Sequence, residues 1–243
     1  MSREIVMIHG WGTRSYNSNL DCEKVVEGTA WSQRQELVNL LEKRYPVRFF
    51  NLPGFCCVKE PKKESFDLED FSDYLGNWVK EQNVKPEAIV GYSFGGAVAL
   101  DYKVRHKSNI PVILISPALK RKETVKSQMG KIGKHIVPER YFDSLKSLYQ
   151  SIFSRYYREG TPFLRASYDK IARRDIRPLL ELVDPKDILL VYGDSDTSTP
   201  ADYISEIVEK NGLNCLIIKG GDHNIGETHP DEVSSAIINF LSK

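Results

Sequence analysis

A chain of 243 residues, 41 % hydrophobic and 28 % charged, is long enough to bury a sizeable core and too ordinary in composition for a disordered or fibrous protein. Its formal net charge of +1, from 34 Lys and Arg against 33 Asp and Glu, exerts no protein-wide pull on nucleic acid, which is therefore not an expected partner. No apolar run approaches the roughly 18 to 20 residues that a bilayer span needs, and the opening MSREIVMIHG lacks a cleavable leader pattern, so a cytoplasmic protein is expected.

The first element in chain order is the apolar run EIVMIH at residues 4–9, which predicts a strand. A helical pattern, WSQRQELVNLLEKRY, follows with Leu37, Leu40 and Leu41 on one face. VRFFNL at 47–52 is the second strand, and FDLEDFSDYLGNWVKEQ the second helix, its apolar face made by Phe71, Leu75, Trp78 and Val79. AIVGYS at 88–93, the helical GGAVALDYKVRH, and PVILIS at 111–116 continue the alternation. DILLVYG at 187–193 and NCLIIKG at 214–220 complete six strands, with helices in ADYISEIVEKNG and HPDEVSSAIINFLSK. Thr199-Pro200 reads as a cap followed by proline in the first turn, and Asn211-Gly212 as a stop. Apolar runs without clean alternation suit parallel strands covered on both faces, so the chain predicts a doubly wound α/β sheet.

The alternation breaks after Ser116-Pro117. From 117 to 185 the pattern is helical and aromatic, with Tyr141, Phe142, Leu145, Leu148, Tyr149, Ile152 and Phe153 at helical spacings. Residues 117–185 are expected to be an inserted helical cap on a core made of 1–116 and 186–243. Charge is unevenly placed: residues 117–178 carry 15 Lys and Arg against 6 Asp and Glu, the remainder 19 against 27. A solvated basic helical surface explains this, and so does docking of an acidic partner or an anionic substrate.

The sharpest local signal is Gly91-Tyr92-Ser93-Phe94-Gly95-Gly96, because it ends a predicted strand and opens a predicted helix. A serine hydroxyl attacks only when it is exposed, held still and relieved of its proton, and a tight strand-to-helix turn supplies the first two conditions. The helix that begins near Phe94 also offers unpaired N–H groups to developing negative charge.

On these residues the chain resembles the α/β-hydrolase family, over nearly the whole length except the cap. The resemblance implies an α/β-hydrolase fold, mostly parallel and doubly wound, with Ser93 as nucleophile, an acid after a later strand and a histidine after the last one. Val191-Tyr192-Gly193-Asp194-Ser195-Asp196 supplies the acid, for which family spacing selects Asp196, with Asp194 as the competitor. Gly220-Gly221-Asp222-His223 supplies the histidine. His223 is then general base and acid, and Asp196 orients it. Ile8-His9-Gly10-Trp11-Gly12 is similar to the family's oxyanion loop, which implies that the Trp11 and Phe94 backbone N–H groups receive the oxyanion and that His9 shapes the loop by hydrogen bonding.

The chain departs from the family at Asn51-Leu52-Pro53-Gly54-Phe55-Cys56, where a second glycine usually stands in place of Cys56, and in the length of the segment 13–30. Both changes fall near the expected rim and bear on substrate shape. Tyr141, Phe142, Tyr149 and Phe153 are candidate substrate contacts in the cap as well as cap packing. Cys22, Cys56, Cys57 and Cys215 form neither a disulfide framework nor a metal spacing, so reduced thiols, no metal and no cofactor are expected.

The reaction expected is hydrolysis of a carboxylic ester through an acyl-enzyme. Thioester, amide and carbon–carbon bond cleavage share the same catalytic set, and a non-enzymatic binding protein on the same fold is the competing class. The His-Gly-Trp-Gly and Leu-Pro-Gly-Phe strings are similar to those of the pimeloyl-carrier-protein methyl esterases. That resemblance implies a small acyl substrate and, at the basic cap, an acidic carrier protein.

Overall fold

Apolar runs that show no alternation have to be covered on both sides, and the inner strands are, whereas the run NCLIIKG at one edge of the sheet leaves Leu216 and Ile217 exposed. In the computed structural model, which describes residues 4–12, 17–19, 21–25, 27–120, 160–172 and 174–243, all six strands join one parallel sheet. They are β1 (Glu4–Ile8), β2 (Val47–Phe50), β3 (Pro86–Tyr92), β4 (Val112–Ile115), β5 (Ile188–Gly193) and β6 (Asn214–Ile218), in the order β2-β1-β3-β4-β5-β6. The helices are α1 (Gln35–Glu42), α2 (Leu68–Glu81), α3 (Phe94–Arg105), α4 (Pro162–Ile171), α5 (Ser205–Asn211), the single turn α6 (Ile225–Thr228) and α7 (Pro230–Leu241).

Alternate residues of each strand enter two separate cores. Val6, Ile8, Ile89, Leu114 and Leu190 pack with Phe71 and Leu75 of α2 and Val98 of α3 on one face. Ile5, Met7, Val90, Ile113 and Val191 pack with Leu37 and Leu41 of α1 and Val233 and Ile237 of α7 on the other. Within α1 it is Val38 that is fully buried, while Leu40 is half-buried. Each face buries whole aliphatic side chains, worth about 1.5 to 3 kcal/mol apiece relative to exposure, so the sheet is held by both layers.

Local chemistry marks the ends of elements. The Asp67 carboxylate accepts from the Asp70 N–H at 3.0 Å while the Asp70 side chain accepts from the Asp67 N–H at 3.0 Å, a reciprocal cap that starts α2. Gly212 closes α5 with φ +61°, as the Asn-Gly stop predicts. Thr199 does not cap the helix after it. A 3-10 turn at Ala201–Tyr203 intervenes, α5 begins only at Ser205, and the Thr199 hydroxyl is turned instead toward Asp196.

Between β4 and β5 the described residues contain α4 and short 3-10 turns, and no strand. The chain leaving β4 and the chain returning to β5 are joined: the Ile176 N–H donates to the Leu119 carbonyl at 2.9 Å, and Lys120 lies 3.7 Å from Asp175. Thr161 caps α4 and donates its hydroxyl to Glu60, and the Phe66 N–H donates to Ser167 at 2.8 Å, so α4 is fastened to the loop that follows β2. Among the described residues, no helix is long and apolar enough to cross a membrane.

Candidate active site

The strand order reverses direction between β1 and β3, and open α/β sheets bind ligands at the carboxyl ends of strands beside such a reversal. The loops that leave β1 and β3 are therefore the place to look. β3 ends at Tyr92, and Ser93 makes the turn into α3 with φ +52° and ψ −114°, a conformation that a non-glycine residue adopts only under constraint. The constraint is visible. The Ser93 N–H donates to the Ile115 carbonyl at 2.9 Å, and its carbonyl accepts from Gly96 and Ala118, each at 3.0 Å. Gly95 lets α3 press against the end of β1, because a Cβ there would lie 2.3 Å from the Ile8 carbonyl oxygen.

His223 follows β6 and reaches this turn. Its Nε2 lies 3.1 Å from Ser93 Oγ, and its Nδ1 lies 2.8 Å from Asp196 Oδ2. With the ring proton on Nδ1 and donated to Asp196, Nε2 is the acceptor for the serine hydroxyl. Three side chains from the ends of β3, β5 and β6 thus form one hydrogen-bonded line.

Asp196 is buried and every one of its lone-pair sites is filled. Oδ1 accepts from the Ser198 N–H at 2.8 Å and the Thr199 N–H at 2.9 Å; Oδ2 accepts from the Thr199 hydroxyl at 2.7 Å and from His223. Burial alone pushes this carboxyl up, but the hydrogen bonds from His223 and Thr199 outweigh it and hold the group at about 2. Asp194 has a different place: it is exposed, and it accepts from the Ser195 hydroxyl at 2.9 Å and the Gly220 N–H at 2.8 Å, bracing the loop without touching His223.

Thr199 is the residue of this cluster that sequence reasoning missed. Its hydroxyl lies 3.3 Å from His223 Nδ1 and 3.2 Å from the Ser116 carbonyl besides its bond to Asp196. A Ser or Thr just before proline carries a helix-cap signal, and nothing in a sequence distinguishes that use from holding a carboxylate.

The loop after β1 lies against the nucleophile: a Cβ on Gly10 would sit 3.0 Å from that of Ser93. His9 is buried, donates from Nδ1 to the Gly10 carbonyl at 2.7 Å, and accepts at Nε2 from the Leu52 N–H at 3.0 Å. Burial lowers its ring to about 4, so it is neutral and serves as a strut. The Trp11 ring meets Phe94, Phe55 and Tyr168 at centroid distances of 5.3, 5.1 and 5.3 Å. Among the described residues the Trp11 and Phe94 amides donate to no backbone acceptor. Tyr141, Phe142, Tyr149 and Phe153 lie outside the described residues.

At the departure from the family pattern, Cys56 adopts φ +51°, the left-handed conformation that favours the usual glycine. Its neighbour Phe55 packs edge-on against both His9 and Trp11. Among the described residues, no group of three or more His, Cys, Asp or Glu side chains is placed to hold a metal ion.

The sequence model of the alpha/beta hydrolase family matches residues 5–236. A pimeloyl-[acyl-carrier protein] methyl ester esterase of Neisseria meningitidis serogroup C is 27 % identical, over 82 % of this chain and 77 % of its own. A putative non-heme chloroperoxidase of Synechocystis is 24 % identical, over 98 % of this chain and 90 % of its own. Among solved structures, a bromoperoxidase from Bacillus anthracis superposes with a TM-score of 0.68 at 20 % identity, covering 100 % of this chain and 93 % of its own. With a family match that runs from β1 into α7 and a six-stranded parallel sheet to carry it, the chain belongs to the alpha/beta hydrolase family and is a hydrolase.

Proposed function

We propose that the chain hydrolyses carboxylic esters through an acyl-enzyme on Ser93, and the observation that carries this reading is the line Ser93–His223–Asp196 with contacts of 3.1 and 2.8 Å. His223 takes the Ser93 proton as Oγ attacks the ester carbonyl, then gives it to the departing alkoxide. Asp196, ionised and fully hydrogen-bonded, keeps the proton of the resting ring on Nδ1 and steadies the cation that forms. Water then repeats the sequence on the acyl-enzyme and releases the acid. The Trp11 and Phe94 amides receive the oxyanion in both halves, and one such donor is worth about 2.7 to 4 kcal/mol of transition-state stabilisation.

A fluorophosphonate probe tests the assignment without knowledge of the substrate. The expected result is labelling at Ser93 that vanishes in Ser93→Ala and drops sharply in His223→Ala. A folded wild-type protein that takes no label leaves a binding protein on a hydrolase fold as the better reading.

We propose that residues 117–185 cap the site and that their excess of basic residues docks an acidic carrier bearing the acyl group. The meningococcal relatives support this by the substrate in their name. Turnover of an ester on acyl carrier protein should exceed that of a neutral thioester-linked mimic and fall as salt is raised. Equal, salt-indifferent turnover would reject the carrier and leave the esterase standing. The setting proposed is the cytoplasm, where Cys22, Cys56, Cys57 and Cys215 remain thiols.

A further inference from the structure

At the His223 main chain lies a polar cluster that the reaction above does not use. Tyr92, the residue before the nucleophile, donates its hydroxyl to the backbone carbonyl of His223. The same hydroxyl lies 3.2 Å from Asn224 Oδ1, which accepts from Arg34 Nη2 at 3.0 Å. The Arg34 guanidinium stands 4.0 Å above the Tyr92 ring. Arg34 is 9 % exposed, and among the described residues its Nε has no partner and no carboxylate pairs with it.

A buried cation without a counter-ion among the described residues is costly, and a core gains nothing from it that an apolar residue would not give. What it does here is orient its neighbours. A tyrosine hydroxyl has one proton and two acceptors within reach. Arg34 donates to Asn224 Oδ1 and so fixes which way that amide faces; of the two acceptors within reach of the Tyr92 hydroxyl, the His223 carbonyl is the shorter contact and takes its proton. Burial pushes the Tyr92 hydroxyl above its ordinary value, against the pull of Arg34, so it remains a donor.

We propose that Arg34, Tyr92 and Asn224 form a positioning cluster that holds the His223 backbone, so that one rigid strand end, residues 92 and 93, sets both the nucleophile and the distance to its base. His223 sits in a loop entered through Gly220, whose φ is +74°, and Asp196 restrains the imidazole only at the side chain. Tyr92 supplies the second restraint, at the main chain. Arg34 supplies the orientation of Tyr92 by its charge over the ring and through Asn224.

This inference rests on the assignment of Ser93 and His223, and its test separates the two. In the wild-type background, Tyr92→Phe keeps the ring under Arg34 and removes the hydroxyl; kcat for an ester substrate should fall by about 10- to 100-fold with KM unchanged. The rate of fluorophosphonate labelling should fall by the same factor, because labelling needs the base but not the acyl pocket. Arg34→Met should fall similarly, Arg34→Lys should recover part of the loss, and Tyr92→Phe combined with Arg34→Met should be no worse than the poorer single variant. Additive losses, or full kcat in a folded Tyr92→Phe protein, would overturn the cluster. In a Ser93→Ala background, which removes the chemistry, Tyr92→Phe should still speed amide hydrogen exchange across residues 220–226. Unchanged exchange there rejects the restraint whatever Ser93 does, whereas a wild-type protein that takes no label, together with faster exchange, rejects the esterase reading and keeps the restraint.

Discussion

Asp196 leaves no lone-pair site unused, so an isosteric amide in its place must turn a donor toward one of the groups that now donate to it. Asp196→Asn is expected to lower kcat by roughly 10,000-fold through the wrong histidine tautomer, with little change in KM. Asp194→Asn should leave turnover within a few-fold, because among the described residues the Asp194 side chain holds Ser195 and Gly220 and not His223. Side-by-side kinetics of the two variants decide the acid, and the opposite ranking would give that role to Asp194. Thr199 can be tested by the same logic. Thr199→Val keeps the shape but removes a hydrogen bond to a charged acceptor worth about 1.5 to 3 kcal/mol, and should lower both Tm and kcat, while Thr199→Ser should restore both.

Elements bring these residues together through close backbone approaches rather than long side chains. At the exits of β5 and β6, a Cβ on Gly193 would lie 2.1 Å from the Gly221 carbonyl oxygen. Gly193→Ala must therefore push the 220–223 loop away, and since a displacement of 1 Å can cost about 100-fold in rate, labelling of Ser93 should collapse alongside a measurable fall in Tm. Unchanged labelling would show that the loop has another route to the same place. The strands were legible because a sheet covered on both faces needs unbroken aliphatic runs, and EIVMI, VILI and ILLVYG supply them. Ser93 and His223 were legible because each stands in a short motif at a strand exit. Asp196 over Asp194 rested on family spacing, since two carboxylates one residue apart cannot be ranked by type. The Arg34, Tyr92 and Asn224 cluster carries no linear signature: its members sit on a 3-10 turn, a strand end and a loop, and only folding makes them neighbours.

For the molecule as a whole, burial of His9 links stability to pH. Its ring titrates at about 4 in the folded protein against an ordinary 6.5, so below 6.5 the unfolded chain takes up a proton that the folded one refuses. Stability from this group is complete above that value and drains away as pH falls toward 4, by roughly 3 kcal/mol at most. Urea midpoints at about pH 7 and about pH 4.5 should differ less in His9→Gln than in the wild type; equal differences would mean that the ring is protonated in the fold. The junction at the base of the excursion between β4 and β5 has a consequence of its own. Leu119 and Lys120 on the way out are buttoned to Ile176 and Asp175 on the way back, and α4 within the excursion is seated in the core through Phe163 and Leu164, so both flanks of the part that precedes α4 are held by the fold. The stretch from Lys120 to Thr161 is thus a cassette: sequences of other lengths could be spliced between two ends that are already anchored, while the scaffold beneath stays as it is.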